Sequence, residues 1–348
     1  METLILTSDQ RKSALIQLGK FLKTADEELN STIQSSQHSN TWFTPEQVQN
    51  AVTATGNMLS EISVNQWFKQ SVEQIPEPSQ KRIGLILAGN IPMVGFHDIL
   101  CVLAAGNVAL IKLSSQDKKL IPYFLQKLAE FEPGFLDQFK FIERLEGFDA
   151  VIATGSNNSS RYFDYYFSKV PHIIRKNRNS IAILSGEETT EQLHALGSDI
   201  FSYYGLGCRN VSKLFVPENY NFNKFFESIQ SFETIANHHK YNNNYDYNKS
   251  IYLVNRVTHL DNGFLLLKQD DTLSSPLSVL YYEEYKDQQS LKEKLYNISD
   301  QVQCAVTANP LELIIQQVNF GESQQPELWD YADGIDTMKF LLSLNPGD

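Results

Sequence analysis

The sequence predicts an α/β protein made of two doubly wound domains, and three observations carry that prediction. Short continuous apolar runs recur between residues 81 and 185, as strands buried on both faces require. Helix-length stretches separate those runs, which places the strands in a parallel sheet. The second half of the chain repeats the alternation with different contents. A chain of 348 residues, 42% hydrophobic and 20% charged, is long enough for two cores. The expected division falls between 185 and 186.

Residues 1–78 read as mainly helical and rather polar, with a first amphipathic helix after Ser8 or Asp9, and end in the breaker-rich stretch Ile75–Gln80. Ile83–Leu87 (IGLIL) is then a buried-strand run, followed by the loop AGNIP and the helical stretch MVGFHDILCVLAA. Gly106 falls where a helix C-terminus takes a left-handed residue, and NVALIKL follows as the next strand, completing a βαβ unit. A helix over Lys118–Phe131 leads to FKFIERL, to DAVIATGS, to a helix over Arg161–Lys169, and to SIAIL (Ser180–Leu184) as a last strand of the same sheet. A helix near Glu188–Tyr204 then runs into GLGC, and KLFVP is strand-like. NKFFESIQSF, SIYLVNRV, PLSVLYY, LKEKLYNI, QVQCAVTA and LELIIQQV continue the alternation. The Asn- and Tyr-rich His238–Ser250 reads as an exposed loop; a His-pair metal site there finds no third ligand at useful spacing. No repeat of fixed period occurs.

A net charge of −12 argues against general nucleic-acid binding, which needs Lys and Arg against phosphate, but leaves a locally bound anion open. No apolar run approaches the roughly 20 residues that span a bilayer. The first residues lack an apolar core and a small-residue cleavage site, so no secretory signal is read and a cytoplasmic location is expected. Three widely spaced cysteines, Cys101, Cys208 and Cys304, indicate neither a disulfide framework nor a zinc cluster. Cys101 and Cys304 stand among apolar residues and read as core. Cys208 differs, because YYGLGCRNVSKLFVP surrounds it with turn formers and polar residues. Gly205 and Gly207 allow a tight turn that projects the thiol while backbone N–H groups point at the same spot. On residue context alone a structural thiol and a nucleophile both stay open. ATGSNNSS, a strand end before a helix, can present N–H groups to a phosphate, but it is not a G-x-G-x-x-G fingerprint.

Four stretches over roughly 80–340 resemble the aldehyde dehydrogenase superfamily, most closely its acyl-CoA reductase branch that includes the fatty-acyl reductases of bacterial luminescence. LAGNIPMVGFHDILCVLAAGNVALIKLSS resembles the family's Asn-x-Pro loop, helix, Ala-Ala-Gly-Asn and lysine-bearing strand. Ala153–Ser156 resembles its Thr-Gly-Ser turn, GLGCRNVSKLFV its Gly-x-x-Cys block, and SSPLSVLYYEEY its Gly-Pro-Val segment. DYADGIDTMKFL resembles the reductase branch in particular. The resemblance implies an aldehyde-dehydrogenase-like fold with an active-site cleft between the two domains. Residues 1–185 would be a helical region and cofactor-binding domain, and 186–348 a domain carrying the nucleophilic cysteine and a C-terminal tail. It implies Cys208 as nucleophile, the Asn90 amide as oxyanion donor, Lys112 as the lysine that holds the cofactor ribose, and Gly155 and Ser156 as the phosphate-side turn. No metal is implied.

Two departures sharpen the expectation. Aldehyde-oxidising members carry Glu-Leu-Gly-Gly, whose glutamate activates the hydrolytic water, whereas IIRKNRNSIAIL places Arg175 there. A guanidinium cannot be a general base at neutral pH, so exchange with a thiol is favoured over hydrolysis. Arg175, Lys176 and Arg178 read as a solvated basic turn, with phosphate contact as the alternative. Three residues after Lys112 the NAD-preferring pattern has a carboxylate; this chain has Ser115, which makes a 2′-phosphate and hence NADPH acceptable. The family's later ribose-binding glutamate falls near Thr272, beside Asp271. The expected reaction is NADPH-dependent reduction of an acyl-CoA or acyl-protein thioester to an aldehyde through a thioacyl-cysteine. The resemblance also implies a homo-oligomer and an acyl-protein synthetase as partner. The alternatives are reduction of an acyl phosphate and a non-catalytic relative that binds nucleotide.

Overall fold

The computed structural model describes residues 5–24, 26–73, 80–155 and 157–344. Apart from Gln80, the breaker-rich stretch Ile75–Gln80 lies outside the described residues. The chain divides into two compact units, residues 1–177 with 325–348, and residues 178–324.

The first unit opens with α1 (Ser8–Phe21), α2 (Glu27–Ser36), α3 (Pro45–Met58) and α4 (Glu61–Trp67), the last continuing as one π turn over Phe68–Val72. Thr7 caps α1, and Gln10 returns the bond to the Thr7 backbone, so the helix begins within a residue of its expected start. β1 (Arg82–Ile86), α5 (Phe96–Ala104) and β2 (Val108–Lys112) form the expected βαβ unit, with Gly106 left-handed at φ 75° between helix and strand. α6 (Leu120–Phe131), β3 (Phe139–Phe141), β4 (Ala150–Thr154), α7 (Asn157–Phe167) and β5 (His172–Arg175) follow. The five strands pair in parallel in the order β3-β2-β1-β4-β5. Chain order reverses beside β1, the switch point at which open α/β sheets gather ligand-binding loops. Ile83, Leu85, Ala109, Ile111, Ala150 and Val151 are fully buried, which is why these strands read as unbroken apolar runs.

The second unit contains β6 (Asn179–Ile183), α8 (Thr190–Phe201), β7 (Val211–Pro217), α9 (Asn223–Ser228), α10 (His239–Val254), β8 (Leu260–Asp261), β9 (Leu266–Gln269), β10 (Val279–Tyr285), α11 (Gln288–Asn297), β11 (Val302–Val306) and β12 (Gln317–Val318). Its sheet runs β12-β11-β6-β7-β10-β9-β8, parallel except for the last pair. SIAIL therefore belongs to this sheet, between β11 and β7, and not to the first. Of LELIIQQV only Gln317 and Val318 form a strand.

The stretch read as an exposed loop, His238–Ser250, is instead the body of α10. Tyr241, Tyr245, Asn248 and Tyr252 recur at helical spacing and are buried. Tyr245 and Tyr252 pack with Leu266, Val279 and Tyr281, and the Tyr241 hydroxyl donates to Phe264 O at 3.1 Å. The His238 ring caps the helix by accepting from Tyr241 N, which also accounts for one half of the His pair. Among the described residues no group of three or more His, Cys, Asp or Glu side chains could hold a metal ion.

Residues 325–344, with α12 (Thr337–Ser343), rejoin the first unit. The Trp67 indole donates to Tyr331 Oη at 3.0 Å, Ser63 Oγ donates to Glu327 at 3.2 Å, and His97 Nε2 donates to Leu328 O at 2.9 Å. Leu328, Met338 and Leu341 are buried. The expected 185/186 boundary thus differs from this division by β6 and by the whole C-terminal segment.

Candidate active site

Cys208 stands in the second unit, half-buried, between the end of α8 and the start of β7. A short irregular turn, Ser202–Gly205, carries the chain out of α8. Tyr203, Tyr204 and Gly205 have φ of 51°, 59° and 79°, three consecutive left-handed residues of which two bear side chains. Such a run is strained and persists only where its surroundings over-determine it. Those surroundings are visible. The Tyr204 ring lies against His238, centroids 4.3 Å apart, and approaches Tyr241, so the N-terminus of α10 props the turn. Asn210, 3% exposed, donates from Nδ2 to Ser202 O at 2.8 Å and Asp199 O at 3.1 Å, and accepts from Gly207 N at 2.8 Å. Ser180 Oγ on β6 donates to Cys208 O at 3.0 Å. Ser180 Oγ in turn lies 3.1 Å from Cys304 Sγ, whose S–H is then the donor. Cys304 and Cys101 are both buried in the core, and burial together with Asp98 raises the Cys101 thiol well above its ordinary value.

The first unit collects the other expected residues at the carboxyl edge of its sheet. Asn90 is exposed on the loop after β1, and Lys112 and Ser115 are exposed at and beyond the end of β2. Leu87 N donates to Lys112 O at 3.1 Å, which ties the two loops at their roots. A Cβ on Gly89 would stand 2.5 Å from Ser114 Oγ, so glycine is needed for this approach. Asp117 organises both loops: it accepts from Met93 N at 3.1 Å and caps α6 through Leu120 N at 3.2 Å. Burial raises its pKa, and the N–H donors oppose that rise. Gly155 follows β4 and donates to Arg175 O at 3.3 Å; a Cβ there would meet Phe163 at 2.8 Å and Ser159 at 2.9 Å. Ser156 lies outside the described residues. Lys112 and Ser115 lie exposed at this edge, with no carboxylate at 115, and could hold a phosphorylated dinucleotide.

Arg175 overturns the solvated-turn reading. It is 4% exposed and holds Asp98 through two bonds, Nε to Oδ2 at 2.8 Å and Nη2 to Oδ1 at 2.6 Å. It also donates to Ala332 O at 2.5 Å and Thr337 Oγ1 at 2.7 Å. Burial opposes both charges, yet the pair wins: Asp98 is held below its ordinary value and Arg175 above. The guanidinium is thus committed to carboxylate, carbonyl and hydroxyl partners. Lys176 remains exposed, as a turn lysine should be.

In the second unit, Asp271 and Thr272 are exposed on the loop after β9. Asp270 organises that loop, accepting from Thr272 N at 3.0 Å and from Lys268 at 2.5 Å; despite burial, these donors hold it at about 2. Lys213, fully buried on β7, donates to Asp271 O at 2.8 Å and Glu283 at 2.6 Å. Burial lowers its pKa, and Glu283 counters the fall. Sequence reasoning missed Asn210, Ser180, Asp117 and Lys213. Only Lys213 carried a readable signal, a lone cation inside a strand with no other charge.

Two largely parallel sheets, one gathering Asn90, Lys112 and Ser115 at its carboxyl edge and the other carrying the Cys208 turn, define an α/β protein with the aldehyde dehydrogenase fold. Solved structures agree on the fold. Aldehyde dehydrogenase 21 from Physcomitrella patens, in complex with succinate, aligns with a TM-score of 0.68 at 12% identity over 97% of this chain and 84% of that one. The NADP-dependent glyceraldehyde-3-phosphate dehydrogenase from Bacillus halodurans C-125, complexed with NADP, gives 0.61 at 14% identity over 87% and 74%. An NADP-dependent enzyme of E. coli gives 0.64 at 14% identity over 91% and 78%. The family model for acyl-CoA reductase (LuxC) matches residues 8–231, and the chain belongs to that family. It is an oxidoreductase of aldehydes or acyl groups. A comparison with curated proteins found no match. Among the described residues no helix is long and apolar enough to cross a membrane.

Proposed function

We propose that this protein reduces an acyl thioester, acyl-CoA or acyl-protein, to an aldehyde with NADPH, and that Cys208 carries the acyl group in between. Cys208 attacks the thioester carbonyl, the carrier thiol leaves with a proton, and a thioacyl-cysteine remains. The Asn90 amide is the donor to the carbonyl oxygen as it gains charge. Lys112, Ser115, Gly155 and Ser156 would hold the cofactor, which would supply the hydride that the thioacyl carbon takes up. The C–S bond to Cys208 then breaks, the aldehyde leaves, and the Cys208 thiolate takes a proton from solvent to restore the thiol. The absence of a carboxylate at 115 is what favours a 2′-phosphate.

The observation that carries this reading is the commitment of Arg175 to Asp98. The resemblance equates position 175 with the water-activating glutamate, and a buried, paired guanidinium has no basic lone pair to give. A thioacyl-cysteine with no such base exchanges with thiols faster than it hydrolyses.

Isotopically labelled acyl-CoA of several chain lengths tests the proposal, with NADPH and NADH compared. The native protein should take up label at Cys208 and oxidise NADPH faster than NADH, while Cys208→Ala takes up none. An unlabelled native protein would sink the thioester reading. NADPH oxidation with an acyl phosphate alone would redirect it to that substrate, and intact NADPH binding without any turnover would mark a non-catalytic relative.

A further inference from the structure

We infer that Asn210 is the positioning residue of the nucleophile, setting the backbone of the Cys208 turn; this rests on the reading of Cys208 as the acyl carrier. The turn needs such a residue. Tyr203, Tyr204 and Gly205 are held left-handed one after another, a conformation that side-chain-bearing residues do not keep unaided. Asn210 ties both ends of that run through one amide. Its Nδ2 faces three carbonyls, Ser202 O at 2.8 Å, Asp199 O at 3.1 Å and Ile200 O at 3.4 Å, all before the run. Its Oδ1 accepts from Gly207 N at 2.8 Å, after the run and next to the nucleophile. Asn210 N donates to Gly207 O at 3.0 Å and closes the loop a second time.

The side chain is specified from both sides. A carboxylate in its place would set a negative charge against three carbonyl oxygens, and a hydroxyl could not reach both ends. Ser180 completes the clamp from β6 by donating to Cys208 O at 3.0 Å. Cys208 thus sits between two fixed bonds, to its own carbonyl and to the N–H of the residue before it, and its position is set by groups that need not touch substrate. This separates Asn210 from a simple helix cap. A cap would need only the carbonyl contacts to α8, whereas the Gly207 bond constrains the nucleophile itself.

The test compares wild type with Asn210→Ala and Ser180→Ala by acyl-CoA reduction kinetics, by the pH profile of Cys208 alkylation with iodoacetamide, and by thermal melting. For Asn210→Ala we expect kcat to fall about 100-fold, the scale of a misplacement near 1 Å, with KM for acyl-CoA changed less than about threefold and the alkylation profile shifted. Unchanged kcat and an unchanged profile in a folded variant overturn the inference, as does a kcat loss no larger than the unfolded fraction explains. If Asn210→Ala does not fold, Ser180→Ala, which removes one hydroxyl, decides by the same readouts, with a kcat loss of about tenfold expected. Should wild type fail to react with acyl-CoA, the thioester reading falls on its own. Alkylation needs no substrate, and shifted or equal profiles in wild type and variants still support or overturn the role of Asn210.

Discussion

Asp199 shows how a single buried carboxylate links the cysteine turn to pH. It is 1% exposed near the end of α8, and it accepts from Gly321 N at 2.7 Å and Ser323 N at 2.9 Å. Burial raises its pKa from 3.8 to about 6 in spite of those donors. A carboxyl raised in the folded state contributes its full stability below the unfolded value and loses it as pH rises through the folded one. The loss therefore runs between pH 3.8 and about 6 and amounts to about 3 kcal/mol. The amide introduced by Asp199→Asn would not titrate. Urea denaturation of wild type and Asp199→Asn at pH 4, 5, 6 and 7 should show the variant gaining on wild type by about that amount across the range. A constant difference between the two would refute the assignment. Asp98 behaves with the opposite sign: held low by Arg175, it contributes stability above its unfolded value that is lost as acid protonates it.

At the scale of elements, α10 supports the site without supplying a reacting group. Its N-terminus braces Tyr204, and Asn248 donates to Leu277 O at 3.0 Å. Tyr241→Ala should cost about 3–4 kcal/mol, and Tyr241→Phe, which loses only the bond to Phe264 O, about 1 kcal/mol. Tyr247, exposed on the same helix, should change stability by less than about 0.5 kcal/mol when replaced by alanine. Urea midpoints of the three variants check this order. The helix was illegible in the sequence because Asn and Tyr are weak helix formers and its polar residues mask a stripe of four buried positions. The first sheet was legible because strands buried on both faces need unbroken apolar runs. The cysteine turn was half legible. Its glycines and Cys208 stand together in sequence, whereas Ser180 reaches Cys208 O only through the pairing of β6 with β7. The partners of Arg175 were hidden for the same reason: Asp98, Ala332 and Thr337 lie far from it along the chain.

On the scale of the whole molecule, the first unit begins and ends the chain, and the second is a continuous insertion of residues 178–324. The fragment 1–177 lacks Tyr331 and Leu328, which bond to Trp67 and His97, and around Arg175 it keeps Asp98 but loses Ala332 and Thr337. It should be soluble and cooperatively folded only when the peptide 325–348 is supplied with it. Hydrogen exchange in α5 checks this, slow exchange in the fragment alone being the contrary result. The Arg175–Asp98 pair also bears on how this chain can change. A glutamate at 175 would face the Asp98 carboxylate inside the protein, and loss of Asp98 would strand a buried guanidinium. Either intermediate gives up about 3–5 kcal/mol, a large part of what holds an ordinary domain folded. On the proposed function, a descendant that placed a water-activating glutamate at 175 would have to change both positions together. The pair is in that sense an evolutionary gate, standing against a carboxylate at 175 in this chain by a single substitution.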